Sequence, residues 1–396
     1  MEISIITNNM LETLYITIEY ILLAFLSVTF IIQIYLYIHP YSSIIRKNKK
    51  EKKLGICNND IQPSVSVIIC AKNEAENLQS FLPLILEQEY PNYEVIVVND
   101  GSFDNTSHVL KEMQSKYKEL YVTGIPEDVN IISRKKLALT VGIKAAKNDI
   151  LLLTDADCRP HSKHWISTMV RNFNAHTEFV LGFGDYLQEK SFVNKLICYD
   201  TLFIAMQYLG FACIGKPYMG VGRNIAYRRE TFFNNNGFAG FLQISSGDDD
   251  LFVNHHANKS NTKVEINLLS KTLSIPKHTF KDWFHQKARH LSSSKLYTNK
   301  SKYLIMIEPL TRGLFYLTLI LLLCIYSSNI IVVSACLGMF FIRYITQLLV
   351  YNLTSKAIKG RKLYLSILLF DILLPIINLY IITIHNKIHK RVEYTW

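Results

Sequence analysis

The stretch Leu151-Leu152-Leu153-Thr154-Asp155-Ala156-Asp157 decides how this chain reads. An apolar run leads straight into two carboxylates at i and i+2. Just past a strand end, that spacing lets both side chains reach one divalent cation in the crevice of an open α/β sheet. Such a cation can hold a diphosphate, which points to chemistry on a nucleotide-linked group.

Upstream of this stretch the same pattern recurs. Val65–Cys70, Val95–Val98 and Ile150–Thr154 are short runs rich in Val, Ile and Leu, suited to buried parallel strands. Helical stretches over about Ala75–Gln88, Asn105–Lys118 and Arg134–Lys147 separate them. Strand and helix in alternation predict a doubly wound sheet, with ligands at the carboxyl ends of its strands. Lys72, Asn73, Glu74, Asn99, Asp100, Asp155 and Asp157 all fall at such ends.

Either side of this soluble unit lies membrane-type sequence. Tyr20 to Ile45 contains no Asp, Glu, Lys or Arg, and its apolar core, about Ile16 to Ile38, is long enough to span a bilayer. No basic residue precedes it and no small-residue cleavage site follows, so it reads as an anchor rather than a cleaved leader. Arg46 to Lys53 then supplies six cations against one anion, which places that flank in the cytoplasm. Gly313 to Ile342 is again free of charge, and with its continuation to Leu353 predicts two spans hinged near Ser327-Ser328-Asn329. Lys356, Lys359, Arg361 and Lys362 mark a cytoplasmic loop. A last apolar stretch, Leu363 to Ile384, carries Asp371 and Pro375. Four full spans would put the tail outside, yet Lys387, Lys390 and Arg391 favour the inside. Either the last segment re-enters or the tail breaks the rule. Arg343 and Asp371 sit inside apolar sequence, where charge defaults to function; they could pair, line an acceptor path, or, for Arg343, snorkel.

The expected organisation is an N-terminal anchor over 1–45, a basic linker over 46–62 and an α/β domain over 63–277. An amphipathic interfacial segment over 278–310, C-terminal transmembrane helices over 311–385 and a basic tail over 386–396 follow. Within the 396 residues, 49% are hydrophobic and the formal net charge is +11; the mean hydropathy is +0.14. Such a balance suits a soluble domain with membrane segments. The basic excess points to anionic lipid and phosphorylated substrates, not nucleic acid, since zinc-finger spacing and Gly/Arg-rich tracts are missing. Seven scattered cysteines with no CxxC pair read as reduced thiols.

Seven fragments, in order, resemble family 2 glycosyltransferases of the GT-A fold. Val67-Ile68-Ile69-Cys70-Ala71-Lys72-Asn73-Glu74 resembles their opening strand and turn, and Val97-Val98-Asn99-Asp100-Gly101-Ser102 their second strand. Lys136-Leu137-Ala138-Leu139 looks like the segment that supports the donor, and Asp155-Ala156-Asp157 like the metal motif. Gly222 to Arg229, including Arg223 and Asn224, is similar to the acceptor-side strand. Gly247-Asp248-Asp249 resembles the acidic motif that holds the catalytic base. Gln286-Lys287-Ala288-Arg289-His290 resembles the Gln-x-x-Arg-Trp motif of membrane-embedded members such as cellulose, hyaluronan and poly-N-acetylglucosamine synthases.

The resemblance implies a GT-A domain, a doubly wound, Rossmann-like mixed sheet, with one N-terminal and two to three C-terminal transmembrane helices. It implies an inverting transfer from a nucleotide-diphospho-sugar, UDP-sugars favoured, to a lipid-linked or growing glycan acceptor at the inner cell membrane, catalytic domain towards the cytoplasm. Asp157 would hold Mg²⁺ or Mn²⁺, with Asp155 on the metal or the ribose. Asp249 would be the base, with Asp248 as the alternative. Lys72, Glu74, Asp100, Lys136, Gln286 and Arg289 would meet the donor, and Arg223 and Asn224 the acceptor. Plainer roles stand beside these: helix caps for the acids, a turn for Asp100, lipid headgroups for Gln286 and Arg289. His290 stands where the motif has Trp, which removes an aromatic platform for an acceptor sugar and favours single addition over a processive synthase. A non-catalytic nucleotide-sugar-binding partner is the remaining alternative, though the carboxylates it would lack are all present.

Overall fold

The computed structural model describes residues 2–54, 62–128 and 131–385. The anchor forms α1 (Glu2–Leu36), a π-turn over Tyr37–Tyr41 that contains Pro40, and α2 (Ser43–Leu54). So the first part of the basic linker is helical. Ser43 Oγ donates to Gly210 O at 3.0 Å, which docks α2 on the soluble domain. The domain follows as β1 (Val65–Ala71), α3 (Ala75–Leu86), β2 (Tyr93–Asp100), α4 (Thr106–Lys116), β3 (Leu120–Ile125), α5 (Arg134–Ala145) and β4 (Ile150–Asp155). Then come β5 (Cys158–Pro160), α6 (Trp165–Val170), β6 (Phe179–Leu181), β7 (Gly184–Tyr186), α7 (Phe192–Cys213), β8 (Ile225–Arg228), α8 (Arg229–Asn234), α9 (Asp250–His256), β9 (Thr262–Val264), β10 (Thr272–Ser274) and α10 (Phe280–Ser293).

Seven strands form a mixed sheet in the order β3-β2-β1-β4-β8-β6-β9. β1 runs parallel to both β2 and β4, with Cys70 opposite Val98 on one side and Asp155 on the other. That register brings the ends of three strands to one edge, where the polar residues cluster. β8 is antiparallel to β4 and β6 and closes the parallel half. Apolar side chains alternate across the sheet. Val65, Val67 and Ile69 face α3, α4 and α6, while Ile68 and Cys70 face α5 and α7. At Gly142 a Cβ would lie 2.8 Å from Ile68 Cγ2, so α5 packs on the sheet at a distance only glycine permits.

α7 was not anticipated. Its 22 residues are long and apolar enough to cross a membrane, yet most of them are buried between the sheet and the membrane helices. An all-round apolar helix is equally a buried core helix, and composition alone does not separate the two. α10 has the amphipathic pattern expected, but its inner face packs on the domain. Trp283 and Ala288 are buried, and Lys287 Nζ contacts both oxygens of Asp200 on α7 at 2.7 Å.

Three apolar helices follow: α11 (Asn299–Ile325), α12 (Ile330–Ala357) and α13 (Ser366–Tyr380). The hinge at Ser327-Ser328-Asn329 is where α11 and α12 part; Asn329 Oδ1 accepts from the Ile331 and Val332 amides and caps α12. With α1 they make a multi-pass membrane protein bearing a soluble domain. Leu26, Phe315, Leu319, Leu322, Val332 and Cys336 form the bundle's own apolar core. Near the soluble domain the bundle encloses charge. Asp371 on α13 meets Arg312 of α11 at 2.9 Å and Arg343 of α12 at 2.8 Å. Glu308 meets Arg312 at 3.0 Å, and Gln33 of α1 accepts from Arg343. Arg343 thus pairs with Asp371 and does not snorkel. The six described cysteines are free; Cys57 and the tail cations Lys387, Lys390 and Arg391 lie outside the described residues.

Candidate active site

The site is built where β1, β2 and β4 end. Gly101 takes φ +57°, the left-handed turn that Asn99-Asp100-Gly101 calls for after β2. Asp100 at that end is fully buried. Its Oδ1 accepts from Arg134 Nε at 2.8 Å, and Lys72 stands 4.0 Å from its Oδ2. That Oδ2 has no hydrogen-bond partner. A buried acceptor left open at a strand end suits a donor group on a ligand.

After β4, Asp155, Asp157 and Cys158 each place one ligand atom within 4.8 Å of the others. The recessed position of Asp157 and the nearby Asp155 carboxylate hold its carboxyl above the usual range. Glu74, at the start of α3, is likewise raised by burial, with Asp157 and Asp155 close enough to add to the effect.

The opposite wall is the turn before α9. Its three adjacent carboxylates are sorted by their partners. Asp248 is 3.1 Å from Lys135 Nζ. Burial opposes its charge, yet Lys135 holds it below the usual range. Asp250 accepts from Ser293 Oγ and from Tyr297 OH at 2.8 Å, a strut to the end of α10. Asp249 faces the cleft, with the Gly222 amide donating to its Oδ2. A Cβ on Gly222 would lie 3.1 Å from that oxygen, so the close approach depends on the glycine. Burial, then the carboxylates of Asp248 and Asp250, push Asp249 up to about 7.

Lys135 joins the two walls. Its ammonium lies 3.2 Å from Asp155 and 3.1 Å from Asp248. The sequence pointed instead to Lys136, and here the structure corrects the expectation. Lys136 is fully buried and donates to the carbonyls of Phe241, Ile244 and Ser246 at 2.9, 2.6 and 2.5 Å. It holds the loop before the acidic turn and has no proton left for a ligand. Successive helix residues are separated by about 100°, so only one of two adjacent lysines can face the strand ends.

Asn224 is a second correction. Its Oδ1 accepts from Trp165 Nε1 at 3.0 Å, and its Nδ2 donates to Phe183 O and Ser270 O. Fully buried and fully used, it is a scaffold residue. Arg223 does reach the cleft. Its carbonyl accepts from Thr154 and Thr272 at 3.0 Å, and its guanidinium lies 4.3 Å from the Tyr186 ring centre. Gln286 Nε2 on α10 donates to Tyr186 OH at 3.2 Å. Arg289, one turn on, lies close enough for its charge to act on Lys135 and His290. His290 is exposed. Desolvation of its ring, then the nearby cations Arg289, Arg223 and Lys135, move its imidazole down, so it is neutral.

The structure therefore gathers Lys72, Glu74, Asp100, Asp155, Asp157, Arg223, Asp248, Asp249, Gln286 and Arg289 around one cleft and leaves out Lys136 and Asn224. Lys135 and the Arg223–Tyr186 stack went unforeseen. The pair Lys135-Lys136 was a visible signal, but which lysine faces inward depends on helix phase.

Residues 66–233 match the glycosyl transferase family 2 profile. Over 106 residues the chain is 37% identical to the glycosyltransferase AglE of Haloferax volcanii, covering 26% of this chain and 33% of that one. It is 34% identical over 93 residues to poly-beta-1,6-N-acetyl-D-glucosamine synthase of Staphylococcus epidermidis, covering 24% and 21% respectively. The chain thus spans a third or less of these relatives. Its fold is similar to that of the mannosyltransferase PcManGT from Pyrobaculum calidifontis, solved in complex with GDP-Man and Mn²⁺, with a TM-score of 0.52 at 16% identity, over 84% of this chain and 99% of that one. Residues 66–233 are thus a glycosyl transferase family 2 domain.

Proposed function

We propose that the chain is an inverting, metal-dependent glycosyltransferase. It moves a sugar from a nucleotide-diphospho-sugar, with UDP-sugars favoured, to a lipid-linked or growing glycan acceptor at the membrane. The domain over 63–277 faces the cytoplasm. The observation that carries this reading is the Lys135 bridge, because one ammonium touching Asp155 and Asp248 sets the strand-end acids and the acidic turn on facing walls of one cleft.

The strand-end acids fit a cation. Asp155 and Asp157 offer hard oxygen ligands beside each other, and among the described residues no cation lies within ion-pair distance of Asp157. That suits Mg²⁺ or Mn²⁺. When bound, such an ion neutralises charge on the departing diphosphate. Asp100, with its open buried acceptor and Lys72 beside it, receives the nucleoside. Arg289 and Gln286 cover the diphosphate from α10, Arg as a bidentate partner. Across the cleft, Asp249 takes the proton of an acceptor hydroxyl at a carboxylate oxygen. The hydroxyl oxygen forms the new bond to the anomeric carbon as the bond from that carbon to the phosphate oxygen breaks. The nucleoside diphosphate keeps the electron pair. Asp248 stays paired with Lys135 and Asp250 with Tyr297, so neither competes for that proton.

The test is nucleotide release by the full chain in detergent, across a panel of UDP- and GDP-sugars, with and without Mn²⁺. Turnover should require metal, and Asp157→Ala should lower it by about 10²–10³-fold. Equal turnover of the two proteins on every donor would overturn the reading. His290, neutral and without a broad aromatic face, supports single addition over processive synthesis; a ladder of long products would reverse that part alone.

A further inference from the structure

We propose that α13 enters and leaves the membrane on the side of the soluble domain, so that α1, α11 and α12 cross the bilayer while α13 lies along the near leaflet. Contacts between the helices carry this placement, independently of the sugar chemistry.

The bundle has two identifiable ends. At the far end, Tyr15 OH donates to Ile325 O at 3.0 Å, Tyr326 OH to Tyr15 O at 2.8 Å, and Asn329 Nδ2 to Glu19 at 3.2 Å. At the near end, Gln33 Nε2 donates to Glu308 O at 3.0 Å. Only four residues beyond Gln33, the π-turn meets α7: the Tyr41 ring lies 6.0 Å from Phe203 and 6.1 Å from Phe211. From Tyr15 to Gln33 the helix climbs about 27 Å at 1.5 Å per residue, close to a hydrocarbon thickness of about 30 Å.

Among the described residues, the hydrogen bonds, ion pairs and ring contacts of α13 outside its own helix belong to the near end. The loop that leads into it is pinned to the soluble domain: Lys271 Nζ donates to Lys359 O at 3.0 Å, and Arg361 donates to Glu189 O at 2.6 Å and to Asn194 Oδ1 at 2.7 Å. Early in the helix, the Phe370 ring lies 5.5 Å from Phe192 and 5.3 Å from Tyr199, both on α7. In its middle, Asp371 pairs with Arg312 and Arg343 at the level of Gln33. At its close, Tyr380 lies 6.0 Å from Phe284 of α10. A crossing helix would end beside Tyr326 or Glu19. Among the described residues, α13 makes no hydrogen bond, ion pair or ring contact there. A π-turn over Ile381–His385 continues the helix, so Ser366–Thr383 is long and apolar enough to cross a membrane; its contacts, not its length, place it along the near end.

The occupant of its outer face is lipid. Leu365, Leu369, Ile372, Ile376 and Leu379 form an exposed stripe at helical spacing, with no charge among them. α11 and α12 carry exposed aliphatic residues of the same kind, such as Leu317, Ile320, Ile345 and Leu349, and acyl chains cover them alike. Asp371 on the opposite face fastens the helix to the bundle. Because α13 ends against α10, the helix that carries Gln286 and Arg289 rests at headgroup level.

Nitroxide labels measure the depth directly. In the full chain with Cys324→Ser, labels on Leu369→Cys and Leu379→Cys are compared, in anionic lipid vesicles, with labels on Phe341→Cys, halfway along α12, and Leu349→Cys nearer its end. Depth is read from relative accessibility to oxygen and to a water-soluble nickel chelate. The α12 pair should differ strongly, as in a crossing helix. The α13 pair should agree within one helical turn, about 5 Å. A difference of about 15 Å across the ten residues of α13, with Leu379→Cys near the bilayer midplane, would overturn the proposal.

Discussion

Two buried groups of acids in this molecule meet opposite fates. In the membrane bundle, Asp371 and Glu308 face Arg312 and Arg343, and every charge has a direct partner at 2.8 to 3.0 Å. Tyr316 and Gln347 donate to the remaining Asp371 lone pairs at 2.7 Å. Its charges are closed and neutral, although Glu308 Oε1, Arg312 Nε and Gln347 Oε1 are buried without hydrogen-bond partners. In the cleft, Lys135 serves two acids at once, and among the described residues neither Asp157 nor Asp249 has an ion pair. A neutral set in low dielectric fixes helices to one another. An incomplete set holds its acids ready for a cation or a proton. The same residue type thus serves cohesion in one place and chemistry in the other, and what decides is whether the local charges cancel.

The comparison breaks first at Asp371. Asp371→Leu would leave Arg343 buried without its acid and two donors without an acceptor. Removing one partner of a buried pair costs about 3–5 kcal/mol, so the detergent-solubilised protein should melt well below wild type, and the folded fraction should keep its turnover per molecule. Asp249→Asn should do the reverse. Turnover should fall by about 10²–10⁴-fold, the range for loss of a general base, while the melting temperature at neutral pH holds or rises, because the amide sheds the cost of the buried charge. If Asp249→Asn melts low and turns over normally, Asp249 is a scaffold acid and the contrast between the two regions is lost. Melting by intrinsic fluorescence and nucleotide release on the same samples decide between them.

Much of the parallel half of the sheet was legible because its signals are local. Val65–Cys70 and Ile150–Thr154 differ from β1 and β4 by a single residue at one end. Buried parallel strands read as unbroken apolar runs and need no tertiary information. β8 lies within the stretch Gly222 to Arg229 read as a strand by resemblance, whereas β3 and the three-residue strands β5, β6, β7, β9 and β10 were missed; β3 lacks an unbroken apolar run, and three residues carry too little pattern. In the site, residues at strand ends were found and residues on helices were confused. Asp155, Asp157 and Asp249 are placed by where a strand or turn stops. Lys135 and Lys136 differ only by helix phase, and Asn224 looked functional because a buried amide satisfied by Trp165 is invisible in one dimension. Asp371 and Arg343 were flagged as charges in apolar sequence with pairing as one alternative, and the structure shows that pair; their separation along the chain left the choice open.

The smallest effect is the most diagnostic, because it reads the open acid without removing it. Asp249 must be ionised to accept a proton, and its carboxyl is pushed up to about 7. The rate therefore rises with pH, about tenfold per unit below 7, and levels above it. Lys135 lies among the groups that pull Asp249 down, so Lys135→Gln should shift this limb to higher pH. Arg343→Lys, in the closed network, should leave the limb where it is. Stability carries the complementary sign. A carboxyl raised above its unfolded value of about 4 makes the native state bind more protons, so wild type loses stability as pH rises from about 4 to about 7. Asp249→Asn should lack that slope. Profiles of kcat/KM and melting temperature against pH for these proteins test both signs. A limb near 4 that Lys135→Gln does not move would mean that the cleft's charges cancel after all, and that the proton goes elsewhere.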